Sequence, residues 1–164
     1  MDSSRRFEMR RKDREIKDFG RMLEVVSAND VLRIAFDDGD GIYICPVNYG
    51  FKAEGEKLSF YFHGAKSGRK AEALCSKVES VSFELDGSHR SHLGESGCDS
   101  TMYYASVMGT ADVTICEGAD IEAGLDAVMN NVFGSEGPFE YKEEVLKNTL
   151  VIRLDVREWT CKIH

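Results

Sequence analysis

The sequence predicts a mainly β fold, a small antiparallel barrel with helices on its outside. Three observations lead there. Short β-rich runs alternate apolar and polar residues, the earliest connections between them are too short for parallel crossovers, and helical periodicity is confined to a few separate segments. Closing such strands into a barrel leaves no long sheet edge exposed.

The elements follow in order. Ile16, Phe19, Met22, Leu23 and Val26 recur at helical spacing, with Asp18 and Glu24 on other faces, so an amphipathic helix is expected first. Asn29 and Asp30 interrupt it. The run from Val31 to Phe36, the turn from Asp37 to Gly41 and the run from Ile42 to Phe51 then read as a β-hairpin. Pro46 has no N–H to give to a ladder, so it belongs at an edge, a bulge or a strand end where the sheet opens.

A third strand over Lys57 to Gly64 meets a helix over Ala65 to Lys77, and a fourth strand covers Val81 to Gly87. Residues 88–100 are polar, contain glycine and show no period, which predicts a long loop. Met102 to Cys116 is β-rich with Gly109 in the middle, which predicts a bend or bulge. Ile121, Leu125, Val128, Met129 and Val132 mark a helix closed by the breakers from Gly134 to Pro138, and a short helix is expected over Lys142 to Lys147. Leu150, Ile152, Leu154 and Val156 alternate with polar residues in a last, half-buried strand.

A length of 164 residues fits one domain, read as 1–164 with residues 1–15 as a basic N-terminal arm. The content of 42% hydrophobic and 30% charged residues is that of a folding chain. A net charge of -8 opposes broad attraction to nucleic acid or an anionic membrane, so any anion site must be local. The first fifteen residues are basic but lack an apolar stretch behind them, so no secretory signal is expected, and no run approaches the ~20 apolar residues of a membrane span. Five cysteines, odd in number and never in a C-x-x-C pair, predict reduced thiols in a cytoplasmic protein.

The segment from Phe60 to Lys70 carries the most chemistry. An apolar strand ends there and a helix begins, and helix N-termini offer unpaired N–H groups to anions. Lys66, Arg69 and Lys70 crowd this positive end, where cations are normally unfavourable, and a phosphate monoester would compensate them. Gly64 and Gly68 allow close approach and Ser67 adds a hydroxyl. The competing reading is a solvated surface helix. The spacing matches neither G-x-x-x-x-G-K-[ST] nor G-x-G-x-x-G.

His63 is the candidate for a catalytic role, as a general acid or as a flavin or substrate contact, and its plainer reading is a polar residue closing a strand. Asn48 follows Pro46, where an amide could face a cofactor ring or simply form a turn. His89 and His92 with Cys98 and Asp99 lack regular ligand spacing, so no metal site is expected.

Four segments in this order, MRRKDREI from Met9, CPVNYGF from Cys45, YFHGAKSGRK from Tyr61 and YASVMGTADV from Tyr104, resemble the nitroimidazole resistance family within the pyridoxamine 5'-phosphate oxidase-related flavoproteins. The resemblance runs from about Met9 to Lys162, and YFHGAKSGRK is its most specific piece. It implies a six-stranded antiparallel split barrel that forms a homodimer with FMN between the subunits. His63, Gly64, Ala65, Lys66, Arg69 and Lys70 would hold the FMN phosphate and ribityl chain. Pro46, Val47 and Asn48 would lie along the ring, and Ser106 and Val107 would line the pocket. Cys161 stands where the family often has the glycine of T-G-K, just before Lys162. The activity implied is FMN-dependent reduction of a small acceptor such as a nitro-aromatic, and the alternative is a flavin-binding or sensing protein without turnover.

Overall fold

The computed structural model describes residues 9–164, so the first eight residues of the basic arm lie outside the described residues. A 3-10 turn, Lys12–Arg14, leads into a two-residue strand β1 (Glu15–Ile16). Helix α1 (Phe19–Ser27) starts later than the apolar spacing suggests. Asp18 caps it, its carboxylate accepting the N–H of Arg21 at 2.9 Å, while Ile16 pairs with Cys161 in a β-ladder. The cap and the ladder together stop helical winding short of Ile16.

Strands β2 (Val31–Asp37) and β3 (Ile42–Asn48) form the predicted hairpin. The second run does not continue straight to Phe51. It breaks at Tyr49 and resumes as β4 (Gly50–Glu54), which pairs with β5 (Lys57–Ala65). Helix α2 (Arg69–Ser76) begins four residues after the expected boundary because Gly68, at φ 98°, holds a conformation that no helix contains. Strand β6 (Ser80–His92) absorbs the first part of the expected long loop and pairs with β7 (Thr101–Ile115). Pairing survives there through a register shift between Gly87 and Arg90, so polar residues can continue an exposed hairpin.

Helix α3 (Ala119–Phe133) closes on Gly134, a left-handed cap whose N–H reaches the Asn130 carbonyl at 2.9 Å. Helix α4 (Glu143–Asn148) then runs directly into β8 (Thr149–Ile163). The bend expected near Gly109 is a register shift between Thr110 and Ala111 where β7 meets β8.

Among the described residues all strand pairs are antiparallel, in one eight-stranded sheet of order β3-β2-β6-β7-β8-β5-β4 with β1 added on β8. The expected count of six is exceeded because the hairpin's second run splits at Tyr49 and because β1 forms. Pro46 lies on β3, the end strand of this order, as its missing donor requires. Tyr49 is where the chain passes from one end of the sheet order to the other. Its ring is fully buried, and its hydroxyl donates to the Val26 carbonyl at 2.5 Å.

Inside the sheet, Leu32, Ile34, Phe60, Phe62, Leu85, Val107 and Leu154 form the main core, with Val25 and Val26 of α1 packed into it. A second cluster, Tyr61, Val151, Leu125 and Val128, seats α3 on the outer side of β5 and β8. The two clusters explain why Tyr61 and Phe62, neighbours on one strand, are both buried: β5 has apolar material on both faces there.

Candidate functional site

Strand β5 delivers His63, Gly64 and Ala65 to its end, opposite Val151, Leu150 and Thr149 of β8. Alternation sends Phe62 inward, where it is fully buried, and leaves His63 exposed on the outer side. Gly68 then turns the chain into α2, which has no side-chain N-cap, so its first N–H groups are left to the turn.

The three cations point different ways. Lys66 donates its ammonium to the carbonyl of Lys147 at 2.5 Å, reaching the end of α4. Lys70 is half-buried, 5.3 Å above the Phe62 ring, and a Cβ on Gly64 would come within 3.3 Å of its Nζ. Arg69 leans the other way. Its Nε and Nη2 donate to Asp38 of the β2–β3 turn at 2.5 and 3.2 Å, and its guanidinium lies 4.6 Å from the Tyr43 ring centroid. Among the described residues Lys66 and Lys70 have no carboxylate partner, whereas Arg69 does.

Asp38 is a residue that the sequence reading missed. It is the buried charged side chain of the described residues, and the Arg69 guanidinium holds its carboxyl down to about 2. The signal was present as three aspartates in one turn, but pairing across 31 residues is invisible without the fold. Partial burial, with Lys70 adding to it, lowers the pKa of His63 below the ordinary histidine value.

The residues from β3 approach from the far end of the sheet order. Pro46 and Asn48 face outward, and Asn48 donates its amide to the Asp30 carbonyl at 3.1 Å. Val47 and Val107 point into the core, so they can offer a ligand only backbone atoms. Ser106 is half-buried on the outer face beside Asp86 and Lys162. His63 pairs with Val151 of β8 and Ser106 with Lys162 of the same strand, eleven residues further on (162 − 151). At about 3.3 Å per strand residue that is roughly 36 Å of chain path. Within one protomer the structure therefore brings His63, Gly64, Ala65, Lys66, Arg69 and Lys70 together and leaves Ser106 and Val107 apart from them.

The turn's donors and charge fit a phosphate monoester. It has two lysines without carboxylate partners among the described residues, an anchored arginine and a helix start without a side-chain cap, and Gly68 there holds a positive φ. His89 is held instead by Asp86 at 2.8 Å, and no group of three or more metal-ligating side chains forms among the described residues. Among those residues no helix is long and apolar enough to cross a membrane.

A family model described as pyridoxamine 5'-phosphate oxidase matches residues 20–163. The chain belongs to that family. Among solved structures, a candidate 5-nitroimidazole antibiotic resistance protein from Bacteroides thetaiotaomicron superposes with a TM-score of 0.76 at 22% identity, over 91% of this chain and 86% of that one. A flavocytochrome from Azotobacter vinelandii gives a TM-score of 0.78 at 18% identity, covering 99% of this chain and 74% of that one. An FAD- and heme-binding protein from Mycobacterium smegmatis gives 0.76 at 14% identity, covering 92% and 73%. At these identities the likeness is one of fold. No curated protein matches the chain. This pyridoxamine 5'-phosphate oxidase-family chain thus shares a split-barrel fold with those structures.

Proposed function

We propose that this protein is a cytoplasmic FMN-dependent oxidoreductase that works as a homodimer and reduces a small acceptor of the nitro-aromatic kind. The observation that carries the proposal is the junction of β5 and α2, where two lysines without carboxylate partners and an Asp38-anchored arginine occur in the chain at the start of a helix that has no side-chain cap. A phosphate monoester, at about -1.5 to -2 near neutral pH, matches the two uncompensated charges.

Bound there, FMN would supply transfer of a hydride or electron pair. Lys66, Lys70 and the backbone after Gly64 would hold its phosphate, and Arg69, fixed by Asp38, would give it a directed donor. The ring would run towards Pro46 and Asn48 on β3, with Val47 contributing backbone. His63, at the end of β5, with its pKa lowered by partial desolvation and by Lys70, would exchange one proton near the ring.

The separation along β8 supports the dimer, because Ser106 and Lys162 reach a flavin at His63 only if a second copy provides them. The same outer sheet face carries exposed Ile42, Ile44 and Met108; Ile44 lies opposite Ala35, and Met108 stands in one row with Glu84, Arg33 and Pro46, a mixed apolar and charged surface that a second copy can cover. The five free cysteines support a reducing compartment.

The test is an absorption spectrum of the purified protein, repeated after adding FMN and removing unbound dye, and again with NADH or NADPH. Flavin bands that persist and bleach are expected. Bands that persist unbleached with either donor favour a binding or sensing protein, and the absence of retained flavin overturns the cofactor assignment.

A further inference from the structure

The end of the sheet next to α1 gathers aromatic rings and cations in one place. Tyr104 of β7 and His164, just past β8, meet edge to face with ring centroids 6.0 Å apart, and Thr101 Oγ1 lies 2.8 Å from His164 Nε2, which fixes the imidazole. Beside them is a cavity of about 230 Å³. Tyr104 and His164 wall it, Val25 and Ile163 give it apolar surface, and Arg21 and Glu24 of α1 add charge. The volume falls below the roughly 300–1,000 Å³ of pockets for drug-sized ligands, so it suits a single ring.

Positive charge is in excess at the Tyr104 end of this cavity. The Lys162 ammonium stands 5.1 Å from the Tyr104 ring centroid, and Arg14 approaches the same phenol. Arg11 and Arg14 share one carboxylate, Asp13, at 2.6 and 3.9 Å, while Lys162 has no carboxylate partner among the described residues. Glu15, opposite Lys162 in the β1–β8 ladder, is taken by Lys17 at 3.3 Å. Arg21 and the exposed Glu24, three residues apart on α1, offset one another, so Arg11, Arg14 and Lys162 are left against Asp13 alone. The phenol registers the excess, since the nearness of Lys162, and then of Arg14, lowers the Tyr104 pKa below its ordinary value. Desolvation, with Arg14, Arg11 and Lys162 adding to it, lowers that of His164, which stands as a neutral aromatic wall near pH 7.

We infer that this site binds a small aromatic carboxylate, with its carboxylate on Lys162 and Arg14 and its ring against Tyr104 and His164. The carboxylate supplies the missing negative charge, and Arg14 presents the planar fork that carboxylates match. The ring covers apolar surface that a bare inorganic anion would leave wet. Lys162 is also a residue that a second copy would bring to the flavin. Resting on the flavin reading above, the bound acid is therefore the acceptor, and a nitro-aromatic acid is preferred to a neutral nitro-aromatic. Its reduction to the nitroso compound consumes two protons and an electron pair, drawn from NADH or NADPH through FMN, and releases water.

Isothermal titration calorimetry of the full chain with benzoate and with benzamide tests the site without turnover. Benzoate is expected to bind more tightly than benzamide by about tenfold or more, the scale of one charge-assisted hydrogen bond. Lys162→Met and, separately, Arg14→Gln should each bring benzoate down towards benzamide, with benzamide itself changed by less than about twofold. Raising the salt concentration should weaken benzoate alone. Equal affinity for the two probes, no benzoate binding, or benzoate binding that both variants leave unchanged overturns the inference. With FMN and NADH or NADPH supplied, 4-nitrobenzoate should exceed 4-nitrobenzamide in kcat/KM by a similar factor. Benzoate binding without that preference overturns the acceptor role, whereas a chain that binds benzoate but retains no flavin overturns the flavin reading and keeps the site.

Discussion

The hydroxyl of Tyr49 donates to the carbonyl of Val26 at 2.5 Å and lies 3.1 Å from the carbonyl of Asn29, so the point where the sheet changes ends is pinned to the end of α1. Burial pushes the Tyr49 phenol well above its usual range, which keeps it a donor at every practical pH. Tyr49→Phe should lower stability by about 1–2 kcal/mol, read as a lower urea midpoint with an unchanged slope.

Next to it, Gly50 lies directly under α3, where an added Cβ would collide with the Ala127 backbone. A flexible side chain could yield, but a helix backbone cannot without moving α3 off β4 and β5. Gly50→Ala should therefore cost more than about 2 kcal/mol, whereas Gly97→Ala, with open space around it, should stay within about 0.5 kcal/mol. Paired urea curves check both.

His63 should titrate below its ordinary value of 6.5 in an NMR experiment, and Lys70→Met should move it back up. Because the folded value is the lower one, this group penalises the folded state as it charges. Its share of stability is complete above pH 6.5 and declines as pH falls towards the folded value. A bound phosphate would raise the same pKa, so FMN should shift the titration upward.

Lys66→Ala combined with Arg69→Ala should weaken FMN by about a hundredfold or more, since charge-assisted phosphate bonds contribute about 1.5–3 kcal/mol each. Loss of Arg69 also uncovers the Asp38 carboxylate beside the site. Fluorescence titration of the folded double variant measures it, and unchanged affinity would reject the assignment.

Asp38, held to about 2 by Arg69, contributes stability that is present above its unfolded value near 3.8 and is lost as pH falls through the folded value. Asp38→Asn removes that dependence. Its unfolding midpoint should therefore fall less steeply than that of the wild type between about pH 4 and pH 2.

Strand positions were legible where apolar residues alternate, as in Ile152 and Leu154 about Arg153, because one buried face imposes that period, whereas Val151, buried against α3 on the other face, departs from the half-buried pattern expected for this strand. The split at Tyr49 was not, since a buried aromatic reads as strand whether the chain runs straight or turns. The extension of β6 through His92 was hidden because both faces of that hairpin are exposed, so no alternation marks it. At the site, the basic turn stood out through charge crowded on a helix start. The Asp38 contact depends on how the β2–β3 turn meets α2, a tertiary relationship that no local pattern encodes.

The pairing of β8 also governs how the chain can assemble. The ladders joining β3, β2, β6 and β7 connect to those of β5 and β4 only across β8, which bonds to β7 on one side and to β5 on the other. The β2–β3, β4–β5 and β6–β7 hairpins can nucleate locally, but fusing the two half-sheets waits on pairings as remote as Ser59 with Asp155, 96 residues apart. Such high contact order makes for slow folding, and until residues 149–163 dock, the bare flanks of β5 and β7 stay open to pairing with other chains.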